Sequence, residues 1–281
     1  STRLVAGTSC PIARIRRSTV QRATSVQVAG ALDELYAAAE SVADLGATPR
    51  ARQTRFALWA PTAQRVALCL YPRGDAKATS MRPMKRDART GVWSAAVRKN
   101  LSGRYHAYVV DVFVRGKGLV RNLVTDPYSL SLTADSKRSA IVDLNAAALK
   151  PAGWDTTPAP SRVAHPVDMV IYELHVRDFS AGDKTVPLAH RGKYLAFTEP
   201  NSDGMKHLQS LSRAGITDVH LLPVFDLASV PEKGCTTPAV PNAPPDSAAQ
   251  QAAVTKSAAT DCFNWGYDPF HFNAPEGRFA S

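Results

Sequence analysis

Short runs of alternating apolar and polar residues fill the chain between Arg55 and Val124. Alternation of this kind is typical of strands that bury one face, and glycine and proline residues separate the runs. Five runs predict strands: Phe56–Trp59, Val66–Tyr71, Val92–Val97, Tyr105–Val114 and Leu119–Val124. Strands of this length and spacing indicate an antiparallel β-sandwich.

A different pattern begins at Met169, where Met169–Val176 is an almost continuous apolar run. Such a run is typical of a strand buried on both faces of a parallel sheet. Ile216–Val224 is a second run of this kind, and a helix is predicted between the two. The predicted helix has three apolar residues at helical spacing, Met205, Leu208 and Leu211. Asn201 or Ser202 is its predicted N-cap, and Gly215 is predicted to end it. Together these elements predict one βαβ unit.

The other segments set the domain boundaries. Leu32, Leu35 and Tyr36 predict a short helix before the sandwich. Asp226–Cys262, called the insertion below, is rich in alanine, proline and serine and has no period, so we expect it to be mobile or disordered. The predicted parts are a basic arm with the short helix (1–49), the sandwich (50–149), a turn-rich linker (150–166) and the α/β part (167–281).

The composition is that of a globular protein with enough apolar residues for a sizeable core: 281 residues, 44% hydrophobic and 21% charged. No run of about eighteen apolar residues occurs, so we expect no membrane partner.

The net charge is +10. Residues 1–165 hold 25 Lys and Arg against 11 Asp and Glu, and residues 166–281 hold 9 against 13. Because the basic residues are scattered, we expect no nucleic-acid partner.

The cysteines leave two readings open. Cys69 lies in the apolar run Val66–Tyr71 and is predicted to be a buried thiol. Cys235 and Cys262 bracket the insertion and would be bridged in an oxidising compartment, but the sequence does not decide between the bridged and reduced forms. No Cys-x-x-Cys or His-Glu-x-x-His motif occurs, so no zinc site is expected.

Candidate binding chemistry is concentrated in Phe263–Pro269, called the aromatic loop below. A sugar ring has an apolar C–H face and a rim of hydroxyls, so a sugar site needs a flat ring beside polar groups. The loop supplies aromatic rings together with Asn264 and Asp268. Gly266 allows a close backbone approach or a positive φ, and Pro269 keeps the residue before it extended.

The aromatic loop also carries a family resemblance. Asn264–Pro269 resembles the Tyr-Asn-Trp-Gly-Tyr-Asp-Pro signature of type I pullulanases and limit dextrinases, with Phe263 in place of the tyrosine. These are starch-debranching glycoside hydrolases of the α-amylase superfamily. Further segments are similar to the same enzymes. Phe56–Ala63 is similar to the opening of their starch-binding-type module. Ile171–Ser180 and Gly215–Val224 are similar to their first two barrel strands, and Arg191–Phe197 to the segment between those strands.

The resemblance implies a multidomain β plus α/β fold. An immunoglobulin-like β-sandwich, a starch-binding-type module, would be followed by the N-terminal part of a (β/α)8 TIM barrel. It implies hydrolysis of α-1,6-glucosidic branch linkages in pullulan, limit dextrins or starch and glycogen, with retention. An α-glucan polysaccharide or oligosaccharide would be the substrate. The alternatives are a non-catalytic α-glucan-binding module and a glucan-branching transferase of the same superfamily.

The same resemblance implies substrate contacts for Tyr267, which would pack against the sugar at the cleavage point, and for its neighbours Asp268, Trp265 and Asn264. It implies no certain cofactor and leaves open a structural calcium ion in the full-length parent. A secreted or periplasmic location is favoured, and the oligomeric state is not indicated.

No catalytic residue is assigned. A barrel needs about 250 residues, whereas 113 remain from Met169 onward. The superfamily's catalytic carboxylates follow strands four, five and seven, so this chain alone is expected to be inactive. Glu173 and Asp178 are interpreted as structural hydrogen-bond partners on opposite sides of one strand, and Asp226 as a site candidate after the second strand. Three residues are interpreted as core: His175, His220 and Trp59.

Overall fold

The computed structural model describes residues 28–160, 163–263 and 265–280. Nearer the N-terminus it describes the backbone of three short antiparallel strands, β1 (Arg3–Val5), β2 (Cys10–Arg14) and β3 (Val20–Ala23). Chain contacts define two compact units, 1–149 and 150–281. Within the described ranges, no helix has the length and apolar character needed to cross a membrane.

The first unit contains a two-sheet β-sandwich preceded by helix α1 (Ala29–Leu35). Its strands are β4 (Gly46–Arg50), β5 (Gln53–Trp59), β6 (Ala63–Tyr71), β7 (Ser80–Pro83), β8 (Lys85–Arg86), β9 (Val92–Val97), β10 (Tyr105–Val114), β11 (Gly118–Val124) and β12 (Ser139–Ala140). One sheet has the order β4-β5-β9-β8, and the other has the order β11-β10-β6-β7 with β12 beside β10. All pairings are antiparallel, which confirms the predicted sandwich.

The sandwich core follows the alternation in the sequence. Tyr108 and Val110 of β10 point into the core, where they join Phe56 and Leu68. The five predicted strands are β5, β6, β9, β10 and β11. Four short strands, β4, β7, β8 and β12, were not predicted because they are too short or too polar to show a period. Trp59 is half-buried, and its Nε1 donates to the carbonyl oxygen of Thr90 at 3.0 Å.

The second unit begins with a parallel βαβ unit. The strands and α-helices of the whole second unit are β13 (Ile171–Leu174), α2 (Val176–Ser180), α3 (Asp203–Arg213), β14 (Asp218–Leu221), β15 (Phe225–Leu227), α4 (Ala248–Ser257) and β16 (Pro269–Pro275). Strands β13 and β14 are parallel, and α3 lies between them in the chain. The Ser202 hydroxyl accepts from the Met205 N–H at 3.2 Å and caps α3. Gly215 follows the helix with φ 107°.

Burial of the parallel strands on both faces was predicted wrongly. Ile171 is 54% exposed and Val219 is 46% exposed, because only two parallel strands are present in the described part of this unit. The apolar run Met169–Val176 is also divided, since β13 ends at Leu174 and α2 begins at Val176. Asp178 therefore lies on a helix, and not on one strand with Glu173 as expected.

The insertion has more structure than its sequence indicated. It contains helix α4, which the Ser247 hydroxyl caps by accepting from the Ala249 N–H at 3.2 Å. The helix has no buried residue. Its alanine and glutamine residues favour helix by intrinsic propensity, but they form no apolar face that periodicity could detect.

Candidate functional site

The aromatic loop leads directly into β16, which pairs with β15 in the antiparallel direction. Leu227 lies opposite Pro269, and the Ala228 N–H donates to the carbonyl oxygen of Asp268 at 3.0 Å. The register shifts on both sides of Asp226, so the ladder is irregular at its centre. The C-terminal end of the loop is thus tied to the strand that follows the βαβ unit.

Gly266 meets both conditions predicted for it, a positive φ and a close approach. Its φ is 95°. A Cβ atom at this position would lie 2.9 Å from the Cβ of Pro223 and 3.0 Å from its carbonyl oxygen. A larger residue would therefore push the loop away from the segment between β14 and β15.

The aromatic rings of the loop divide into one anchored ring and two exposed rings. Phe263 packs against His175, with 5.3 Å between ring centroids, and the Arg177 guanidinium lies 5.3 Å from the centroid of the Phe263 ring. Trp265 is 57% exposed and Tyr267 is 71% exposed. Large exposed rings are the surfaces on which a sugar can stack. Asn264 lies outside the described residues.

The carboxylate of Asp268 is buried, although the residue as a whole is half-buried. Both of its oxygens are buried, and neither has a hydrogen-bond partner in the described part of the chain. A sugar hydroxyl can reach this group only if the carboxylate becomes accessible. Of the three predicted contact residues that the structure describes, Tyr267 and Trp265 are therefore the ones with exposed side chains.

Three carboxylates form what we call the acidic cluster: Asp226, Glu232 and Glu276. One oxygen of each lies within 4.8 Å of the others. Asp226 is 2% exposed, and its Oδ2 lies 2.6 Å from Nδ1 of His271, which is equally buried. Of this group only Asp226 was a sequence candidate. Glu232 follows six residues later, whereas His271 and Glu276 lie at least 45 residues away, and no sequence pattern connects any of them with Asp226.

Glu276 is the most buried member of the acidic cluster, at 1% exposure. Its Oε2 accepts from the Leu227 N–H at 2.9 Å and its Oε1 from the Arg278 N–H at 2.7 Å. Burial raises the pKa of this carboxyl, and the charges of Asp226 and Asp268 raise it further, whereas the two N–H groups act in the opposite direction.

The other sequence candidates have structural surroundings. His175 is buried, as expected, and its Nδ1 accepts from the Arg177 N–H at 3.2 Å. His220 was predicted to be a core residue, which is wrong: it is exposed and lies 3.5 Å from the Glu173 carboxylate on the neighbouring strand. His220 and Ile171 are exposed for the same reason: in the described residues no third strand covers this face of the sheet.

Cys235 and Cys262 form a disulfide, which decides between the two forms left open by the sequence. Next to it, the Thr236 N–H donates to the carbonyl oxygen of Thr260 at 2.7 Å. The bridge closes the base of the insertion, and the aromatic loop begins at the next residue. Cys69 is a free, buried cysteine, and burial raises the pKa of its thiol.

Comparison with known families defines the class of the first unit. Residues 44–129 match the family model of carbohydrate-binding module 48, the isoamylase N-terminal domain. The class is thus a carbohydrate-binding sandwich joined to the first elements of an α/β enzyme domain.

The particular family follows from relatives along the whole chain. The chain is 38% identical to the pullulanase of Klebsiella pneumoniae over 99% of its own length, and 38% identical to chloroplastic pullulanase 1 of Arabidopsis thaliana over 92%. It covers 29% and 27% of those proteins, less than a third of their length. The chain belongs to the pullulanase family, of which it represents an N-terminal and central segment.

Solved structures agree with this assignment. The Klebsiella pneumoniae pullulanase complexed with maltotriose superimposes with a TM-score of 0.83 at 37% identity, covering 96% of this chain and 30% of that one. The Paenibacillus barengoltzii pullulanase in complex with maltohexaose and α-cyclodextrin superimposes with a TM-score of 0.70 at 34% identity, covering 91% of this chain and 35% of that one.

The disulfide is expected to stabilise the second unit by about 3.5 kcal/mol, because it closes a loop with a sequence separation of 27. Replacing both Cys235 and Cys262 by serine should lower the free energy of unfolding by that amount in urea titrations. Dithiothreitol should destabilise the wild-type chain equally and leave the double variant unchanged. Equal stability of the wild-type chain and the variant without reductant would contradict the expectation.

Proposed function

We propose that the protein to which this chain belongs hydrolyses α-1,6-glucosidic branch linkages in pullulan, limit dextrins or starch and glycogen. The observation that carries this proposal is the aromatic loop. It has the family signature, and Gly266 holds it against Pro223 while Tyr267 and Trp265 stay exposed. The maltotriose and maltohexaose complexes of related pullulanases support an α-glucan as the ligand.

In this proposal Tyr267 positions the sugar at the cleavage point. Its ring offers a flat apolar surface to the C–H face of a glucose unit, and Trp265 offers a second ring on the same loop. Retaining hydrolysis needs a carboxylate nucleophile and a carboxylic acid about 5–5.5 Å apart. None of the carboxylates described here is assigned to either role. The chain's own part is to bind and orient the glucan.

A second candidate function is α-glucan binding without catalysis. The observation that favours it is the match of residues 44–129 to a carbohydrate-binding module, together with the two parallel strands described in the second unit. Both proposals predict glucan binding, and only the first predicts hydrolysis by the protein with a complete barrel.

We expect the 281-residue chain to bind α-glucan without cleaving it. Affinity electrophoresis through gels containing pullulan should retard the chain, while a reducing-end assay on the same substrate should detect no turnover. The control gel contains hydroxyethyl cellulose, a β-linked glucan. Turnover that persists after repurification would refute the inactivity of the chain, and unretarded migration would count against glucan binding.

Tyr267→Ala, in the protein with the complete barrel, should lower kcat/KM on pullulan at least tenfold, whereas Tyr267→Phe should keep most of the activity. Stacking on an aromatic ring contributes about 0.5–1.5 kcal/mol beyond the buried area, and misplacement of the reacting sugar adds to the loss. A tenfold loss corresponds to about 1.4 kcal/mol.

The matched control is Trp154→Ala, which removes an exposed ring outside the aromatic loop. It should leave kcat/KM unchanged. The melting temperatures of all three variants show whether a loss of activity comes from a less stable fold or from weaker binding of the sugar. If folded Tyr267→Ala molecules turn over pullulan at the normal rate, Tyr267 does not stack on the sugar at the cleavage point.

The acidic cluster suits a structural calcium ion in the same protein. Calcium prefers carboxylate oxygens, and the cluster supplies Asp226, Glu232 and Glu276 within 4.8 Å of one another. A calcium ion bound there would offset the mutual repulsion of the carboxylates and cross-link β15 with the end of β16.

Calcium should therefore raise the melting temperature of the chain in a saturable way. At one hundred times the dissociation constant the expected stabilisation is about 2.7 kcal/mol. Glu232→Gln should abolish the effect, while Asp246→Asn, an exposed carboxylate of the insertion, should not. Identical melting curves in calcium and in a chelator would rule out the ion.

A further inference from the structure

The second unit contains a cavity with a strongly positive lining, called the basic cavity below. It has a volume of about 200 Å³, and four of its lining side chains are cationic: Arg177, Arg191, Lys193 and Arg278. None of its described lining residues is acidic. This concentration of positive charge is unexpected, because residues 166–281 hold 9 Lys and Arg against 13 Asp and Glu.

Short contacts hold the cationic groups in place. Nε of Arg191 donates to the carbonyl oxygen of Val186 at 2.8 Å, and its Nη2 donates to that of Lys184 at 3.1 Å. Lys193 donates through Nζ to the carbonyl oxygen of Arg278. The charged groups are thus fixed before any ligand arrives, which lowers the entropic cost of binding.

Gly192 and Phe263 hold Arg177 in a similar way. A Cβ atom on Gly192, which has φ 70°, would lie 3.5 Å from Cγ of Arg177, so the turn packs directly on this side chain. The Phe263 ring supports the guanidinium from the side of the aromatic loop. Arg177 donates to Asp178 through Nη1 at 2.6 Å.

The positive charge is only partly balanced within the protein. Asp178 pairs with Arg177, whereas Glu276 accepts only from the backbone N–H of Arg278. In the described residues no carboxylate forms an ion pair with the other three cationic side chains, although the charges of Asp183 and Glu276 act on Arg191 and Lys193 from a greater distance. Nε of Arg278 is buried and has no hydrogen-bond partner in the described part of the chain. A buried charged donor without a partner is costly, so this group indicates an anionic acceptor.

We propose that the basic cavity binds a phosphate-type oxyanion, either inorganic phosphate or the phosphate monoester of a sugar. A phosphate dianion would supply the anionic partner that three of the four cationic side chains lack, and guanidinium groups suit the geometry of phosphate oxygens. The cavity is smaller than the 300–1,000 Å³ typical of sites for larger ligands, which fits a single oxyanion group. The inference goes beyond the proposed debranching function and does not depend on it.

The test is calorimetric titration of the 281-residue chain with phosphate, glucose 6-phosphate and glucose at constant ionic strength. Phosphate and the ester should bind saturably, and glucose should not bind in this cavity. Tighter binding of the ester would assign a sugar phosphate as the ligand, and equal or tighter binding of phosphate would assign the free anion. Affinity should fall as salt is added, because the attraction is electrostatic.

Arg278→Gln should weaken phosphate binding at least tenfold, and Arg278→Lys should retain part of it. The matched control is Arg213→Gln, which removes an exposed arginine at the end of α3 and should change nothing. If Arg278→Gln fails to fold, as judged by its melting curve, Arg177→Gln serves the same purpose. Absence of saturable phosphate binding, or equal affinity in the cavity variant and the control, would overturn the proposal.

Discussion

The buried pair of Asp226 and His271 is the contact on which the candidate site depends. The two side chains are 2% exposed and join β15 to β16 across 2.6 Å. Because the ladder between these strands shifts register on both sides of Asp226, backbone hydrogen bonds alone fix the pairing weakly. Removing one partner of a buried hydrogen bond costs about 1–3 kcal/mol, since the other group stays buried without a partner for that bond. The pair therefore fixes where β16 begins, and with it the position of the aromatic loop.

Two further contacts place the aromatic loop against the ends of the parallel strands. Phe263 packs on His175, directly after β13, and Gly266 packs on Pro223, shortly after β14. Both contacts lie at the carboxyl ends of these strands, where active sites of (β/α)8 barrels are built. The loop thus lies at the end of the sheet that a glucan site requires, although only two strands of that sheet are described. The disulfide closes the base of the insertion directly before this loop.

The sequence predicted features that depend on neighbouring residues in the chain, and it missed features that depend on residues far apart in the chain. Alternation identified the five longer sandwich strands because the burial of one face is visible in each strand's own sequence. The cap of α3 was predicted as Asn201 or Ser202 from local sequence, and the structure shows that it is Ser202. Burial of β13 and β14 on both faces was not predictable in this way, since it requires neighbouring strands. The partners of Asp226 were also missed. His271 lies 45 residues away, and no periodicity connects the two. The aromatic loop was found because its residues are consecutive.

The charges around β16 explain why this part of the molecule is suited to binding. Glu276 belongs to the acidic cluster and Arg278 lines the basic cavity, with only Gly277 between them. The turn sends the two side chains into separate groups of like charge, while Oε1 of Glu276 accepts from the backbone N–H of Arg278. Carboxylates and cations that paired with each other would need no counter-ion. Because they are separated, like charges lie close together within each group, and the folded chain carries the electrostatic cost of that arrangement. Proteins tolerate such local conflicts mainly at functional sites, and this one lies beside the loop that carries the family signature.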